Sequence, residues 1–315
     1  MIIMKNIPIL HVEGRSLAEA YEKALINLYE KGERIRTQYD KKNQNGEFID
    51  PPSIDATMNI TIYEPWSDPM IHKAFPGGIE DLREYAMELR GAKDHWMKNM
   101  DDPEDKRWEY TYHHRLRRYG TWKQKGLESI IPGEFIPKQF KDGYIGLFNI
   151  DQIEKVIKKL IKQPFTRQAQ VITWMPLIDL DCYDPPCLQS LWYRMPEEDG
   201  VGYLNCNVRI RSNDAWGASF MNMFGFVHFN KELIADEIAK RMGKEIKLAR
   251  MNWHADSFHI YGKDIAEAKK RLFDRLDKTS FEDRIFNFWD PMVHEIYDEA
   301  RLKVEEKIKK YDAEH

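Results

Sequence analysis

The chemistry this chain could perform is concentrated in residues 185–222, which read PPCLQSLWYRMPEEDGVGYLNCNVRIRSNDAWGASFMN. Cys187 follows two prolines and opens an apolar run, Leu188, Leu191, Trp192 and Tyr193, of strand character. A lone cysteine is more often a small buried hydrophobe than a nucleophile. A reactive thiolate needs a cation or backbone donors beside it, and Arg211 at the end of the next strand can supply the charge. Arg211, Ser212, Asn213 and Asp214 form a second cluster. Its guanidinium and hydroxyl suit a phosphate held at two points, although a strand end with a solvated Arg–Asp pair is the plainer reading.

Other side chains carry weaker signals. Asn222 is either an amide on a helix face or a reader of the donor and acceptor on a base edge. His259 and Tyr261, two apart on a strand, share a face and could hold sugar hydroxyls. Glu84 lies on an otherwise apolar helix with Leu82, Tyr85, Ala86 and Leu89. If it faces a cleft, burial would raise its pKa and suit it to proton transfer. The segment RWEYTYHHRLRRYG, residues 107–120, mixes aromatic and basic residues and reads as a strand or extended stretch.

The elements that must position these groups follow from periodicity. Ser16 caps a helix running to about Lys31, which Gly32 ends. Residues 33–53 are polar and read as a mobile loop. Ala56–Tyr63 alternates as a strand, and the spacing predicts a helix over Ile79–Leu89 stopped at Gly91. Residues 99–107 are a charged surface turn, and 121–146 read as a long irregular insertion. Asn149 or Asp151 caps a helix, Ile150–Ile161, and Gln170–Trp174 is a strand leading towards Cys187. Leu204, Cys206, Val208 and Ile210 alternate with polar neighbours along another strand. An apolar helix follows Asn222, Lys231–Met242 is helical, and Ile246–Tyr261 holds a buried strand. The tail from Ser280 reads as charged helix interrupted at Pro291.

With 315 residues, 42% hydrophobic, the chain can bury one large core, and no linker divides it. The expectation is one α+β domain. A net charge of -4 argues against a globally basic nucleic-acid binder. The three cysteines match no zinc spacing or disulfide framework, no metal site is expected, and no run approaches a membrane span. These features suggest a cytoplasmic protein.

Taken together, the motifs resemble the thymidylate synthase and pyrimidine hydroxymethylase family. PPC at 185–187 looks like its Pro-Cys nucleophile motif, and RSND at 211–214 its phosphate-binding Arg-Ser with the following Asp. Asn222 falls at its base-reading position, and HIY at 259–261 matches its sugar-contacting His-x-Tyr. Glu84, seven residues before Gly91, resembles its general acid/base. Arg167 resembles the arginine sent into a neighbouring subunit, Arg34 or Arg36 a loop arginine, and Tyr112 or Tyr119 the active-site tyrosine, with Tyr112 favoured. Trp108 resembles the cleft tryptophan. The likeness is strongest over residues 80–264. It implies a homodimer with a mixed sheet packed by helices, a pyrimidine nucleoside monophosphate substrate, a Cys187–C6 adduct and 5,10-methylenetetrahydrofolate as donor. Asp214 would serve both the chemistry and the donor. Departures are Leu188 where the family has His, Gln168 after Arg167, and a charged C-terminus in place of a short apolar tail. RSND and the missing apolar tail lean towards hydroxymethylation over thymidylate synthesis, and Asn222 towards uracil. A catalytically silent nucleotide-binding paralogue is the reading from another class.

Overall fold

The computed structural model describes residues 6–97, 104–119 and 150–314; the expected insertion at 121–146 and Asn149 lie outside them. The strands are β1 (Ile9–Gly14), β2 (Glu33–Ile35), β3 (Ser53–Ile62), β4 (Ile71–His72), β5 (Ala169–Ile172), β6 (Leu188–Arg194), β7 (Glu197–Glu198), β8 (Val201–Ile210), β9 (Asn213–Asp214), β10 (Ile246–Ile260) and β11 (Ile285–Phe286). The helices are α1 (Leu17–Lys31), α2 (Ile79–Glu88), α3 (Tyr112–Arg117), α4 (Gln152–Lys162), α5 (Pro176–Asp179), α6 (Ser219–His228), α7 (Asp236–Met242), α8 (Ile265–Arg271) and α9 (Pro291–Glu314).

A mixed sheet runs in the order β1-β3-β10-β8-β6-β5. Its strands alternate because only one face is covered. Met58, Ile60, Cys206, Val208, Met251 and Trp253 point into the core, where α1 and α6 contribute Tyr21, Leu25, Phe220 and Phe224. Asn59, Asn207 and His254 lie on the other face and are only half-buried. This is the single-domain α+β arrangement that the alternation in β3 and β8 implies.

Local chemistry explains the element ends. Ser16 accepts from the Glu19 amide at 3.4 Å, and of the two candidate caps on α4 Asp151 takes the role, accepting from the Glu154 amide at 2.9 Å. Gly32 has an ordinary φ of -67°. Its glycine is required by space, since a Cβ would lie 2.5 Å from Ile54. Gly91, at φ +92°, does need the left-handed region after α2.

Several expectations are corrected. Residues 107–119, the described part of the 107–120 stretch, are not an extended strand: Thr111 accepts from the His114 amide at 3.0 Å and starts α3. The 33–53 stretch is not all loop, because β2 pairs antiparallel with β3, which itself begins at Ser53. Pro291 does not interrupt a helix but begins one, as suits a residue without an N–H in a first helical turn. Ile285–Phe286 before it is a short strand on β4.

Candidate active site

Cys187 sits half-buried at the entrance to β6, and the adjacent strand delivers Arg211 beside it. The Arg211 amide donates to the Cys187 carbonyl at 2.8 Å. Its guanidinium donates to the Pro186 and Pro185 carbonyls at 3.1 and 2.5 Å. The two prolines therefore present carbonyls that an arginine clamps. From α3, Tyr112 accepts the Leu188 amide at 3.2 Å, so a phenol stands over the same corner. The alternative, Tyr119, donates to the Trp174 carbonyl at 3.0 Å instead. Arg115, also on α3, makes a buried two-point pair to Asp179, at 2.8 and 3.0 Å.

Burial pushes the Cys187 thiol up, the Arg211 charge pulls it back in part, and Asp184 adds to the rise. The expected net depression is thus not what the environment produces. Cys206 is fully buried in the core, its thiol pushed by burial up to about 12.

A cavity of about 460 Å³ opens beside this corner, lined by Tyr85, Glu88, Trp108, Tyr110, Tyr112 and Asn222 among others. A larger one of about 710 Å³, between Arg15 and Asp290, contains none of the candidate residues. The Asn222 amide has a fixed orientation. Trp253 Nε1 donates to Asn213 Oδ1 at 3.0 Å, Asn213 Nδ2 to Asn222 Oδ1 at 3.1 Å, and Asn222 Nδ2 to the Tyr85 hydroxyl at 2.8 Å. Each end of the Asn222 amide keeps hydrogen-bonding capacity for a ligand.

Glu84 does not occupy the place expected of it. Its carboxylate meets Lys93 at 2.6 Å and Lys307 at 2.8 Å. Burial pushes it up, but Lys307 and Lys93 outweigh that and hold it below the usual range. Glu88, one helical turn on, lines the cavity instead, and burial raises its carboxyl against the pull of Lys93. Residues four apart share a helix face, so the sequence places both glutamates on one side of α2. The seven-residue spacing to Gly91 points to Glu84, and only the lysines that meet it in the fold separate the two.

The remaining residues lie around this centre. Ser212 is half-buried next to Arg211. Asp214 accepts from the amides of Gly217 and Trp216 at 2.9 and 3.1 Å. Burial raises its carboxyl despite those two donors. Asp214 pairs with His259 between β9 and β10. His259 and Tyr261 meet ring to edge at 4.6 Å, and burial with the Asp214 charge pushes Tyr261 to about 12. His259 Nδ1 meets Ser257, which donates to Asp55 at 2.8 Å, while Nε2 is buried without a hydrogen-bond partner among the described residues. Tyr39, which the sequence did not single out, packs edge-on to Tyr261 at 6.2 Å. Its loop also holds Arg36, bonded to the Asp50 carbonyl at 2.7 Å. Arg167 is exposed, away from this cluster, its carbonyl accepting from Trp192 at 3.0 Å. Trp108 packs against Trp96 at 5.6 Å on the cavity wall. Among the described residues no group of three or more His, Cys, Asp or Glu is placed to hold a metal. No helix there is long and apolar enough to cross a membrane.

A family model described as thymidylate synthase matches residues 77–300. A Methanopyrus kandleri protein described as "Putative thymidylate synthase" is 24% identical over 258 residues, covering 82% of this chain and 96% of its own. A Methanosarcina barkeri protein of the same description is 25% identical over 253 residues, covering 80% and 90%. One from Methanothermobacter marburgensis is 31% identical over 123 residues, covering 39% and 50%. The matched span takes in the nucleophile corner, the Asn222 network and the cavity wall, and the chain belongs to the thymidylate synthase family.

Proposed function

We propose that this protein transfers a one-carbon unit to C5 of a pyrimidine nucleoside 5'-monophosphate, of uridylate type, and releases a hydroxymethylated product. The observation that carries the transfer is the corner where Cys187, clamped by Arg211 and faced by Tyr112, adjoins the cavity holding Asn222 and Glu88. C5 of a uracil ring is a poor nucleophile until a group adds at C6. Addition of the Cys187 thiolate there sends charge towards O4, where the Asn222 amide and Glu88 can receive it. C5 then takes up the carbon unit and loses its proton, the carrier leaves, water adds to the resulting exocyclic methylene, and the Cys187–C6 bond breaks to free the thiolate. Glu88 replaces Glu84 in this role. The Arg211 and Ser212 pair would grip the phosphate, with Arg36 closing from its loop and His259 and Tyr261 meeting the sugar.

The cavity residues fit a planar heteroaromatic carrier. Trp108, Tyr110 and Tyr183 offer ring faces, and Lys106 adds positive charge on the same wall, where Arg107 is paired with Asp105 at 2.7 Å. These groups, with Asp214 nearby, would hold 5,10-methylenetetrahydrofolate, which when bound supplies the carbon unit. The hydroxymethyl reading draws on RSND at 211–214. The second reading, reductive methylation, draws on the relatives' description as thymidylate synthases.

Tritium release from C5-labelled uridylate tests the transfer, and a nucleotide bound without release would establish a silent binder. The product's mass gain, CH2O or CH2, decides between the two reactions. Cys187→Ala is expected to abolish turnover and keep nucleotide binding measurable. We also infer a homodimer in which Arg167 reaches the partner's phosphate site. Its exposed side chain and the uncovered, half-polar sheet face bearing Trp192, Asn207 and His254 support this.

A further inference from the structure

We propose that Glu84, Lys93 and Lys307 form a charge relay through which the C-terminal helix biases the protonation of Glu88. The relay rests on the function proposed above only for its purpose. Lys93 Nζ donates to Glu84 at 2.6 Å and to Glu88 at 3.2 Å, so two carboxylates one helical turn apart compete for one ammonium. Glu84 holds it more closely. Lys307 then donates to both oxygens of Glu84 at 2.8 Å. The result is an alternating row from α9 to the cavity: Lys307, Glu84, Lys93, Glu88.

Exposure ranks the links. The Lys93 side chain is 7% exposed, so its charge needs close anionic partners, whereas Lys307 is 60% exposed and its field is weakened by water. Lys93 should therefore act strongly on Glu88, and Lys307 weakly and through Glu84. The end of α9 is fastened independently of the row. Tyr311 packs at a tilt against Trp96 at 4.2 Å, Asp312 accepts from His95 at 2.6 Å, and Lys303 pairs with Glu80. The other ionisable groups facing Glu88 are Tyr85 on its own helix, Asp94 beyond Lys93, and Lys106, Arg107, Glu109, Tyr110, Tyr112, Tyr183 and Asp184 around the cavity. None of these changes in the variants below.

The row makes signed predictions. Removing Glu84 takes away a negative neighbour and releases Lys93 to Glu88, so both effects favour the Glu88 carboxylate. Removing Lys307 leaves Glu84 less neutralised and draws Lys93 towards it, so both effects favour protonated Glu88. The experiment is a titration of glutamate carboxyl carbons by 13C NMR on the full-length protein, with the Glu88 resonance assigned by its loss in Glu88→Gln. Glu84→Gln should lower the Glu88 midpoint by about one unit, and Lys307→Met should raise it by a few tenths, about the scale of an exposed pair. In the double variant the Lys307 effect should vanish, because its path runs through Glu84. The acid limb of kcat should move with the midpoint, which a purely structural role would not cause. Unmoved midpoints, shifts of the same sign, or a Lys307 effect undiminished by Glu84→Gln would overturn the relay. Full turnover by Glu88→Gln would instead remove the catalytic role of Glu88 and leave the titration result standing.

Discussion

Arg211 serves Cys187 in two separable ways, by charge and by clamping the loop that presents it. Burial is the largest influence on the thiol and raises it; the guanidinium is the opposing one. An opposite charge within about 4–6 Å of a group shifts its pKa by about 1–3 units. Cys187 keeps some solvent contact, so the low end applies, about one unit. Arg211→Gln should therefore lift the thiol by about one unit and slow alkylation at neutral pH about tenfold. Arg211→Lys retains the charge but cannot bond both proline carbonyls, now at 2.5 and 3.1 Å, in the same forked geometry. It should leave the alkylation midpoint nearly in place while weakening nucleotide binding. The assay is the iodoacetamide rate as a function of pH in a Cys182→Ser background, with the modified peptide identified by mass. Cys206 stays silent because it is sealed in the core. The sign is fixed: wild-type reactivity should rise only as pH climbs above the ordinary cysteine range. A wild-type midpoint below that range, or no change in Arg211→Gln, would refute the account of this site.

Other outcomes follow from the same geometry. Glu22 sits between Arg284 at 2.7 Å and His72 at 2.7 Å. Burial pushes its carboxyl up, yet these partners hold it at about 2 against an ordinary 4.5. A depressed carboxyl stabilises the fold above its unfolded pKa and loses that contribution as pH falls towards the folded value. Glu22→Gln should thus cost about 2 kcal/mol at pH 7 and progressively less between about pH 4.5 and 2, measured by urea denaturation. Asn213→Ala removes the link that orients Asn222 and strands the Trp253 N–H. KM for nucleotide should rise about tenfold and stability should fall by about 1–3 kcal/mol, read by kinetics and calorimetry. Arg167→Ala should weaken nucleotide binding without unfolding the protein, and sedimentation should find a dimer; an active monomer would remove the inter-subunit role.

The residue types and their order determined much of this protein by themselves. Alternation along β3 and β8 dictated a sheet with one buried face, since side chains two apart point the same way. Ser16 and Gly91 marked helix ends because capping and positive φ are properties of one or two residues. The grouping of Cys187 with Arg211 was legible because one opens a strand and the other follows the end of the next. What required the tertiary structure was direction and competition among partners. Glu84 and Glu88 are indistinguishable by type; only the arrival of Lys93 and of Lys307 from a helix more than two hundred residues later assigns one to an ion-pair row and the other to the cavity. The 107–120 stretch looked extended because its aromatic rings mimic a strand face, but the Thr111 cap, with Asp94 accepting from its hydroxyl and facing His113, makes a helix there. The thiol likewise answered to the whole fold: an adjacent arginine predicts a depressed pKa, and the burial that reverses it is a sum over neighbours that no local spacing contains.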